Sequence, residues 1–205
     1  CMDQNKEDSF DFVPANHKLN SAEMELVSRI GRESVLRKAL VPVQEYYDFI
    51  LIDCTPSDGL ISQNAITASD FIIVPLNGEP FAVDGMGKII QRYKEVKENI
   101  NPNLELLGYV FTLIKKCQIH DAIKEEMREQ HQANGWPGEI FQCEIKQNVR
   151  LAETAAFRTN IFDYASQFNP KDIKDRSKWE ATIKAGEEYK ALAMEILDKE
   201  GKERR

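Results

Sequence analysis

Apolar residues occur along the chain in short runs separated by longer segments of helical period. The short runs are rich in β-branched and aromatic residues, which is typical of strands. They are Phe10–Pro14, Phe49–Asp53, Phe71–Pro75, Glu105–Leu113 and Glu139–Ile145. Several are apolar at nearly every position, as expected for strands covered by helices on both faces. The pattern therefore predicts an α/β fold with a mostly parallel sheet flanked by helices.

The segments between these runs predict helices with one buried face. Asn20 and Glu23 form a predicted capping pair ahead of Met24, Val27 and Ile30. The other predicted faces are Met86, Ile89, Ile90, Tyr93, Val96 and Ile100, ended by Asn101-Pro102; Ile119, Ala122, Ile123 and Met127, ended by Asn134-Gly135; and Trp179, Ile183, Leu192, Ile196 and Leu197, on a helix from about Lys178.

Length and composition fit an ordinary globular chain. With 205 residues, a net charge of −7 and 42% hydrophobic residues, the chain resembles neither disordered nor fibrous proteins. We predict one domain over residues 1–197 and a charged, flexible tail over residues 198–205. No run approaches the roughly 18 apolar residues of a membrane span, and the first residues are polar and acidic. We therefore expect a cytoplasmic protein without membrane insertion.

The cysteines and histidines do not indicate a metal site. Cys1, Cys54, Cys117 and Cys143 are far apart, and none forms a C-x-x-C pair. The three histidines are scattered, and we expect them on the surface. Reduced cytosolic thiols are the expectation, with no metal bound by these residue types.

The run from Tyr47 to Pro56 carries the clearest candidate chemistry. A predicted buried strand places the carboxylate of Asp53 at its carboxyl end, where open parallel sheets bind their ligands. In nucleotide triphosphatases, a Walker B aspartate at such a position holds Mg²⁺ beside the phosphates, usually through water. Many parallel strands also end in Asp for turn or capping reasons, so this pattern alone leaves both interpretations open.

The residues around this strand resemble the ParA family of partition ATPases. The matching pieces occur in family order and with family-like spacing from about Phe10 to the last helix. They are Phe12-Val13-Pro14-Ala15-Asn16, Glu23-Met24-Glu25-Leu26, Asp53-Cys54-Thr55-Pro56-Ser57-Asp58-Gly59-Leu60, Asn64-Ala65-Ile66, Ala68-Ser69-Asp70-Phe71-Ile72-Ile73-Val74-Pro75, Glu79-Pro80-Phe81-Ala82 with Gly85, Asn101-Pro102-Asn103-Leu104 with Leu107-Gly108, and Asn148-Val149-Arg150-Leu151-Ala152-Glu153.

The resemblance implies a P-loop NTPase-like fold of the deviant Walker type and an ATP-dependent dimerising switch. Such a switch uses ATP and Mg²⁺, forms a homodimer in the ATP state, and binds DNA without sequence preference. It partitions or positions plasmid or chromosomal DNA together with a ParB-like centromere-binding protein. The implied location is the cytoplasm, in association with the nucleoid.

The resemblance also assigns roles to individual residues. Asp53 is implied as the Walker B carboxylate that holds magnesium through water, and Thr55, Pro56 and Gly59 as parts of the switch loop that senses the γ-phosphate. Asp58 departs from the family pattern, so the detail of the switch stays open. The residues implied on the adenine side are Thr112, Lys115, Ile145, Gln147 and Asn148.

Basic residues near the C-terminal end are the implied DNA contacts. From Lys146 onward the chain has 13 basic and 11 acidic residues, a balance of 13 − 11 = +2, which leaves −9 for the rest. Gln147 stands where the family commonly has Arg, which weakens the assignment, although Lys146 could substitute. Each candidate could also be an ordinary solvated charge. The candidates are Lys146, Arg150, Arg158, Lys171, Lys174, Arg176 and Lys178.

The sequence contains no phosphate-binding G-x-x-x-x-G-K-[ST] loop. Gly87-Lys88 is followed by Ile89, and Ala82 stands where the first glycine is required, so this stretch is predicted as helix. The resemblance places the family's P-loop, its signature lysine and the first switch aspartate before the start of this chain. Three accounts stay open: a fragment of a longer ATPase, a natural relative without a P-loop, or a proteolysed sample.

The missing segment has a structural and a functional consequence. In the family, the P-loop strand is central and adjacent to the Walker B strand, so without it two inner strands have unpaired backbone groups. We expect the isolated chain to aggregate, swap segments or rearrange, and to lack ATPase activity. The alternative function is a stand-alone interaction module that binds a partner protein or DNA without nucleotide.

Other members of the wider family are less similar. MinD-like relatives bind membranes through a C-terminal amphipathic helix, but here that helix carries Glu187, Glu188 and Glu195 on its polar face, which is unsuited to anionic lipid. We therefore expect the last helix to dock on the sheet, with no membrane partner. Nitrogenase-like relatives need paired cysteines and tyrosine-kinase relatives a tyrosine-rich tail, and the sequence has neither.

Overall fold

The computed structural model describes residues 10–16, 19–54, 57, 59–79 and 85–203. They divide after Ser69 into two units, residues 1–69 and 70–205. The helices of the first unit are α1 (Leu19–Val27), α2 (Val35–Leu40) and α3 (Leu60–Ala68), with short 3₁₀ turns at Arg32–Ser34 and Gln44–Tyr46. Both α1 and α2 pack against α3.

The two strands predicted in the first unit are wrong. Residues 10–14 and 49–53 form no strand, and Val13 and Leu51 are 91% and 93% exposed. A strand is stable only when a neighbouring strand accepts and donates its backbone hydrogen bonds. No described residue of the first unit is in a strand, so these apolar runs have no partner there.

The predicted face of α1 is also wrong. The helix begins at Leu19, so Asn20 lies within it, and the carboxylate of Glu23 bonds to α3 instead of forming the expected capping pair. Met24 and Val27 are largely exposed, and Ile30 is 99% exposed beyond the helix end. The inward face instead carries Leu19, Ala22 and Leu26, which line an apolar groove of about 610 Å³ with Val35, Leu36 and Ile61.

The second unit contains a three-stranded parallel sheet in the order β1-β2-β3. Its strands are β1 (Phe71–Asn77), β2 (Glu105–Ile114) and β3 (Glu139–Lys146). All three were predicted, and each extends one or two residues further at its carboxyl end. The predicted α/β class with a parallel sheet is therefore confirmed.

The sequence predicts the first, the second and the last of the five helices that the structure describes in this unit. The five helices are α4 (Met86–Asn99), α5 (Gln118–Asn134), α6 (Val149–Phe157), α7 (Ile161–Ala165) and α8 (Ile173–Glu203). The buried residues of α4 match the prediction, and Gly87 and Lys88 lie within this helix, as predicted. On α5, Ile123 and Met127 are buried as predicted, but Ile119 is 63% exposed. Gly135 ends α5 with φ of 57°, a left-handed conformation that favours glycine.

Helices cover both faces of the sheet. Leu107, Val110 and Phe141 form a buried cluster against Leu192 and Ile196 of α8, so the predicted docking of the last helix on the sheet is confirmed. Tyr109 directly precedes Val110 in β2, and its side chain points to the opposite face from that of Val110 because successive strand residues alternate. There its ring meets that of His131 on α5, with centroids 5.6 Å apart.

Helix α8 also covers the outer edge of β3. The carboxylate of Glu195 accepts hydrogen bonds from the backbone N–H groups of Gln142 (2.9 Å) and Cys143 (3.0 Å). Glu188 accepts one from the N–H of Lys146 at 2.9 Å. These glutamates, expected on a polar face, therefore hold the strand edge. The helix continues to Glu203, past the predicted end at Leu197.

Candidate functional site

Asp53 lies in the first unit at the end of the exposed segment 49–53 and is itself exposed. The implied switch residues Thr55 and Pro56 lie outside the described residues. Gly59 is half-buried and forms the N-cap of α3. The sequence interpretation placed Asp53 after a buried strand, whereas the structure places it after an unpaired segment.

The N-terminus of α3 is held by a residue from α1. Glu23 Oε1 accepts a hydrogen bond from the backbone N–H of Leu60 at 2.8 Å. Ser57 and Ser62 add a contact between their hydroxyl oxygens at 2.8 Å. The loop that follows Asp53 therefore ends at a point that is fixed by hydrogen bonds.

The implied adenine-side residues lie at the carboxyl ends of β2 and β3, which are neighbours in the sheet. Thr112 is half-buried near the end of β2, and Lys115 is exposed just after it. Gln147 follows β3, and its N–H donates to the carbonyl of Ile114 at 3.0 Å. Asn148 caps α6, where its side chain accepts from the N–H of Arg150 at 2.9 Å.

Ile145 differs from the other adenine-side candidates. Its side chain is 3% exposed and belongs to the core of the second unit. An adenine contact from Ile145 would therefore have to come from its backbone. The structure brings the remaining four candidates to one end of the sheet.

His120 is a further residue at this end of the sheet that sequence reasoning placed on the surface. Its Nδ1 accepts a hydrogen bond from the N–H of Lys115 at 3.0 Å, which places the ring proton of neutral histidine on Nε2. A Cβ added at Gly78 would lie 2.3 Å from this Nδ1. A side chain at position 78, directly after β1, would therefore collide with the His120 ring. The glycine at this position is the only feature of the sequence that indicates this close contact.

Many of the implied DNA contacts form ion pairs. Lys146 lies 3.2 Å from Glu188, and Arg176 lies 3.0 Å from Glu180. Arg150 pairs with Glu153. The positive charge of these side chains is therefore partly offset within the second unit.

Three other implied DNA contacts are exposed. These are Arg158, Lys171 and Lys174, and none forms an ion pair within the part of the chain that the structure describes. Arg150 and Lys178 both lie over the ring of Phe168, at 6.0 and 5.9 Å from its centroid. Arg150 and Lys178 therefore lie together against Phe168. Arg158, Lys171 and Lys174 are the candidates most available to a phosphate backbone.

The described residues do not form a complete nucleotide site. The sequence supplies no glycine-rich phosphate loop. No group of three or more His, Cys, Asp or Glu side chains that could hold a metal occurs among residues 10–16, 19–54, 57, 59–79 and 85–203. Asp53 could supply one carboxylate ligand to magnesium, and the hydrogen-bond donors for the phosphates would have to come from other residues.

Comparison with known proteins identifies the family. A family model described as an AAA domain matches residues 1–106. The chromosome partitioning protein ParA of Myxococcus xanthus is 34% identical over 189 residues, which are 92% of this chain and 60% of that protein. This chain belongs to the ParA family. The predicted resemblance is confirmed.

A second relative supports the assignment to the ParA family. The sporulation initiation inhibitor protein Soj of Bacillus subtilis is 32% identical over 162 residues, which are 77% of this chain and 60% of that protein. The chain therefore spans about 60% of the length of these two relatives.

This ParA-family chain is also similar to a solved structure that contains a bound nucleotide. Cobyrinic acid a,c-diamide synthase from Mycobacterium smegmatis, with bound ADP and magnesium, matches with a TM-score of 0.59 and 32% identity. The match covers 66% of this chain and 54% of that one.

Within the described ranges, no helix of this ParA-family chain is both long and apolar enough to cross a bilayer.

Proposed function

We propose that this chain is part of a ParA-type ATPase that partitions or positions DNA as an ATP-dependent dimerising switch. The observation that carries the proposal is the 34% identity to a chromosome partitioning protein over 92% of the chain. The complete protein would use ATP and Mg²⁺, act on DNA in the cytoplasm at the nucleoid, and respond to a ParB-like partner. Its active state would be a homodimer.

The phosphate loop of this ATPase would come from residues that precede Cys1. Asp53 would hold magnesium through water, and the loop from Thr55 to Gly59 would respond to the γ-phosphate. Because the donors for the phosphates are absent from this sequence, the chain alone is expected to be inactive.

The experiment compares this chain with the protein extended upstream to its natural start codon. The extended protein is expected to hydrolyse Mg-ATP, while this chain shows no turnover. In the extended protein, Asp53→Ala is expected to abolish the magnesium-dependent rate. Asp48→Ala is the matched control, because Asp48 is an exposed aspartate in the same segment. Unchanged turnover in Asp53→Ala would exclude the Walker B role.

An alternative function is favoured by one observation, the absence of a phosphate loop from the sequence. In that case the chain is an interaction module that binds a partner protein or DNA without nucleotide. The same comparison separates the two functions. If the reading frame starts at Met2 and no preparation binds nucleotide, the interaction module is the correct function.

DNA contact is proposed for the exposed cations Arg158, Lys171 and Lys174 of the second unit. Each phosphate contact contributes about 0.9 to the slope of log affinity against log salt concentration. The double variant Arg158→Ala, Lys174→Ala is therefore expected to weaken binding to duplexes of unrelated sequence alike and to lower the slope by about 1.8. Lys94→Ala with Lys116→Ala removes two other exposed lysines and serves as the control. Equal slopes for both double variants would remove Arg158 and Lys174 from the interface.

A further inference from the structure

Glu23 provides a cap that Gly59, the N-cap residue of α3, cannot supply. The first amides of a helix have no acceptor within the helix, and Gly59 at the N-cap offers no side-chain oxygen. Glu23 Oε1, 37 residues away in the chain, accepts the N–H of Leu60 at 2.8 Å. A carboxylate is also the favoured group at the positive end of the helix dipole. The contact therefore joins α1 to the first residue of α3.

Gly59 is adapted to this contact. A Cβ on Gly59 would lie 2.1 Å from Glu23 Oε1, a distance at which one of the two must move. The backbone of Gly59, with φ of −75° and ψ of 166°, is one that any residue adopts. The contact with the Glu23 carboxylate, rather than backbone conformation, therefore favours glycine here, because a side chain at this position would displace the carboxylate.

The next turn of α3 is fixed from another side. The amide of Asn64 is buried, donates to the carbonyls of Arg32 (2.7 Å) and Leu60 (2.9 Å), and accepts the N–H of Leu36 at 3.0 Å. A fully bonded buried network of this kind has one preferred arrangement. With Glu23 at the N-terminus and Asn64 one turn later, the start of α3 is held against both α1 and α2.

We propose that Glu23 is a positioning residue for the switch loop, and this inference rests on the proposed ATPase function. The carboxylate fixes the carboxyl end of this loop, because it holds the backbone N–H of Leu60 directly after Gly59. Glu23 does this without touching nucleotide. Loss of the contact lets the loop end shift, and a displacement of about 1 Å can lower a rate on the order of 100-fold.

The test uses the upstream-extended protein. Glu23→Ala is expected to lower kcat for Mg-ATP hydrolysis by about ten-fold or more while KM changes far less, because the loop acts after binding. Glu23→Gln keeps an acceptor oxygen and is expected to retain most of the rate. Glu25→Ala, at an exposed position of the same helix, is the matched control and is expected to behave as wild type.

A double-variant cycle isolates the contact. Gly59→Ala alone is expected to lower kcat as Glu23→Ala does, because its methyl group displaces the carboxylate. In the Glu23→Ala background, Gly59→Ala is expected to add nothing, since the group it would strike is gone. If Gly59→Ala lowers the rate by the same factor in both backgrounds, the positioning role proposed for Glu23 is wrong.

The outcomes also separate this inference from the proposed function. A wild-type protein without ATP hydrolysis overturns the function and the inference with it. Hydrolysis by wild type together with an unchanged kcat in Glu23→Ala overturns the inference alone. If Glu23→Ala does not fold, Glu23→Gln and Gly59→Ala decide: a wild-type rate in Gly59→Ala refutes the positioning role, and a reduced kcat beside an active Glu23→Gln supports it.

Discussion

Removing the carboxylate of Glu195 is expected to open the outer edge of β3. This side chain is 21% exposed and accepts the N–H groups of Gln142 and Cys143. A hydrogen bond to a charged acceptor contributes about 1.5–3 kcal/mol when its donor is shielded from water. Gln142 is exposed, so water replaces most of its bond, whereas Cys143 is half-buried. Glu195→Ala should therefore destabilise the edge locally by about 2 kcal/mol.

Amide hydrogen exchange, followed by mass spectrometry of a peptide that covers β3, measures this local stability directly. A loss of about 2 kcal/mol corresponds to exchange on the order of 30-fold faster in that peptide. Glu195→Gln keeps one acceptor and should have a smaller effect. Glu187→Ala removes an exposed glutamate of the same helix and is the control. Exchange in Glu195→Ala within about two-fold of the control would refute the edge-capping role.

Two further expectations concern the second unit. Asn148→Ala removes the N-cap of α6 and should lower the free energy of unfolding by about 1–2 kcal/mol in urea titrations; an unchanged midpoint would show that water replaces the cap. Burial raises the pKa of Tyr109 to about 12, so the folded state favours the neutral phenol. Stability from this group is complete below the unfolded value of about 10 and is lost as the pH rises toward the folded pKa. The fall in Tm over this range should be shallower in Tyr109→Phe, and parallel curves would contradict the assignment.

The second unit could be predicted because its signals are local. Each predicted strand there has a partner in the same unit, and the buried residues of α4 lie on the face that its periodicity indicates. Gly135 ends α5 at the predicted place because glycine adopts the left-handed conformation freely. The end of α8 was misplaced because a charged helical segment and a charged tail have similar composition.

The first unit could not be predicted in the same way. The run Phe49-Ile50-Leu51-Ile52 has the composition of a buried strand, but composition does not reveal whether a neighbouring strand is present. In the structure this segment is not a strand, and Leu51 is 93% exposed. The apolar pattern indicates a preference for strand, but a strand also needs a partner, and no described residue of the first unit is in a strand.

The candidate site shows the same limit. The strand pattern and the family resemblance indicate Asp53, and the resemblance indicates the loop after it, but the contact between Glu23 and Leu60 joins positions 37 residues apart. The sequence predicts that Glu23 caps its own helix together with Asn20, whereas in the structure its carboxylate accepts a hydrogen bond from the first residue of α3. Only the packing of α1 against α3 brings the two together.

The two edges of the sheet in the second unit differ in what they can accept. Along β3, the carboxylates of Glu188 and Glu195 occupy outward N–H groups, so a further strand could add only by displacing α8. Along β1, the only strand partner among the described residues is β2. A parallel sheet with both faces covered is stable when its inner strands are paired on both sides. An added strand would therefore join at β1.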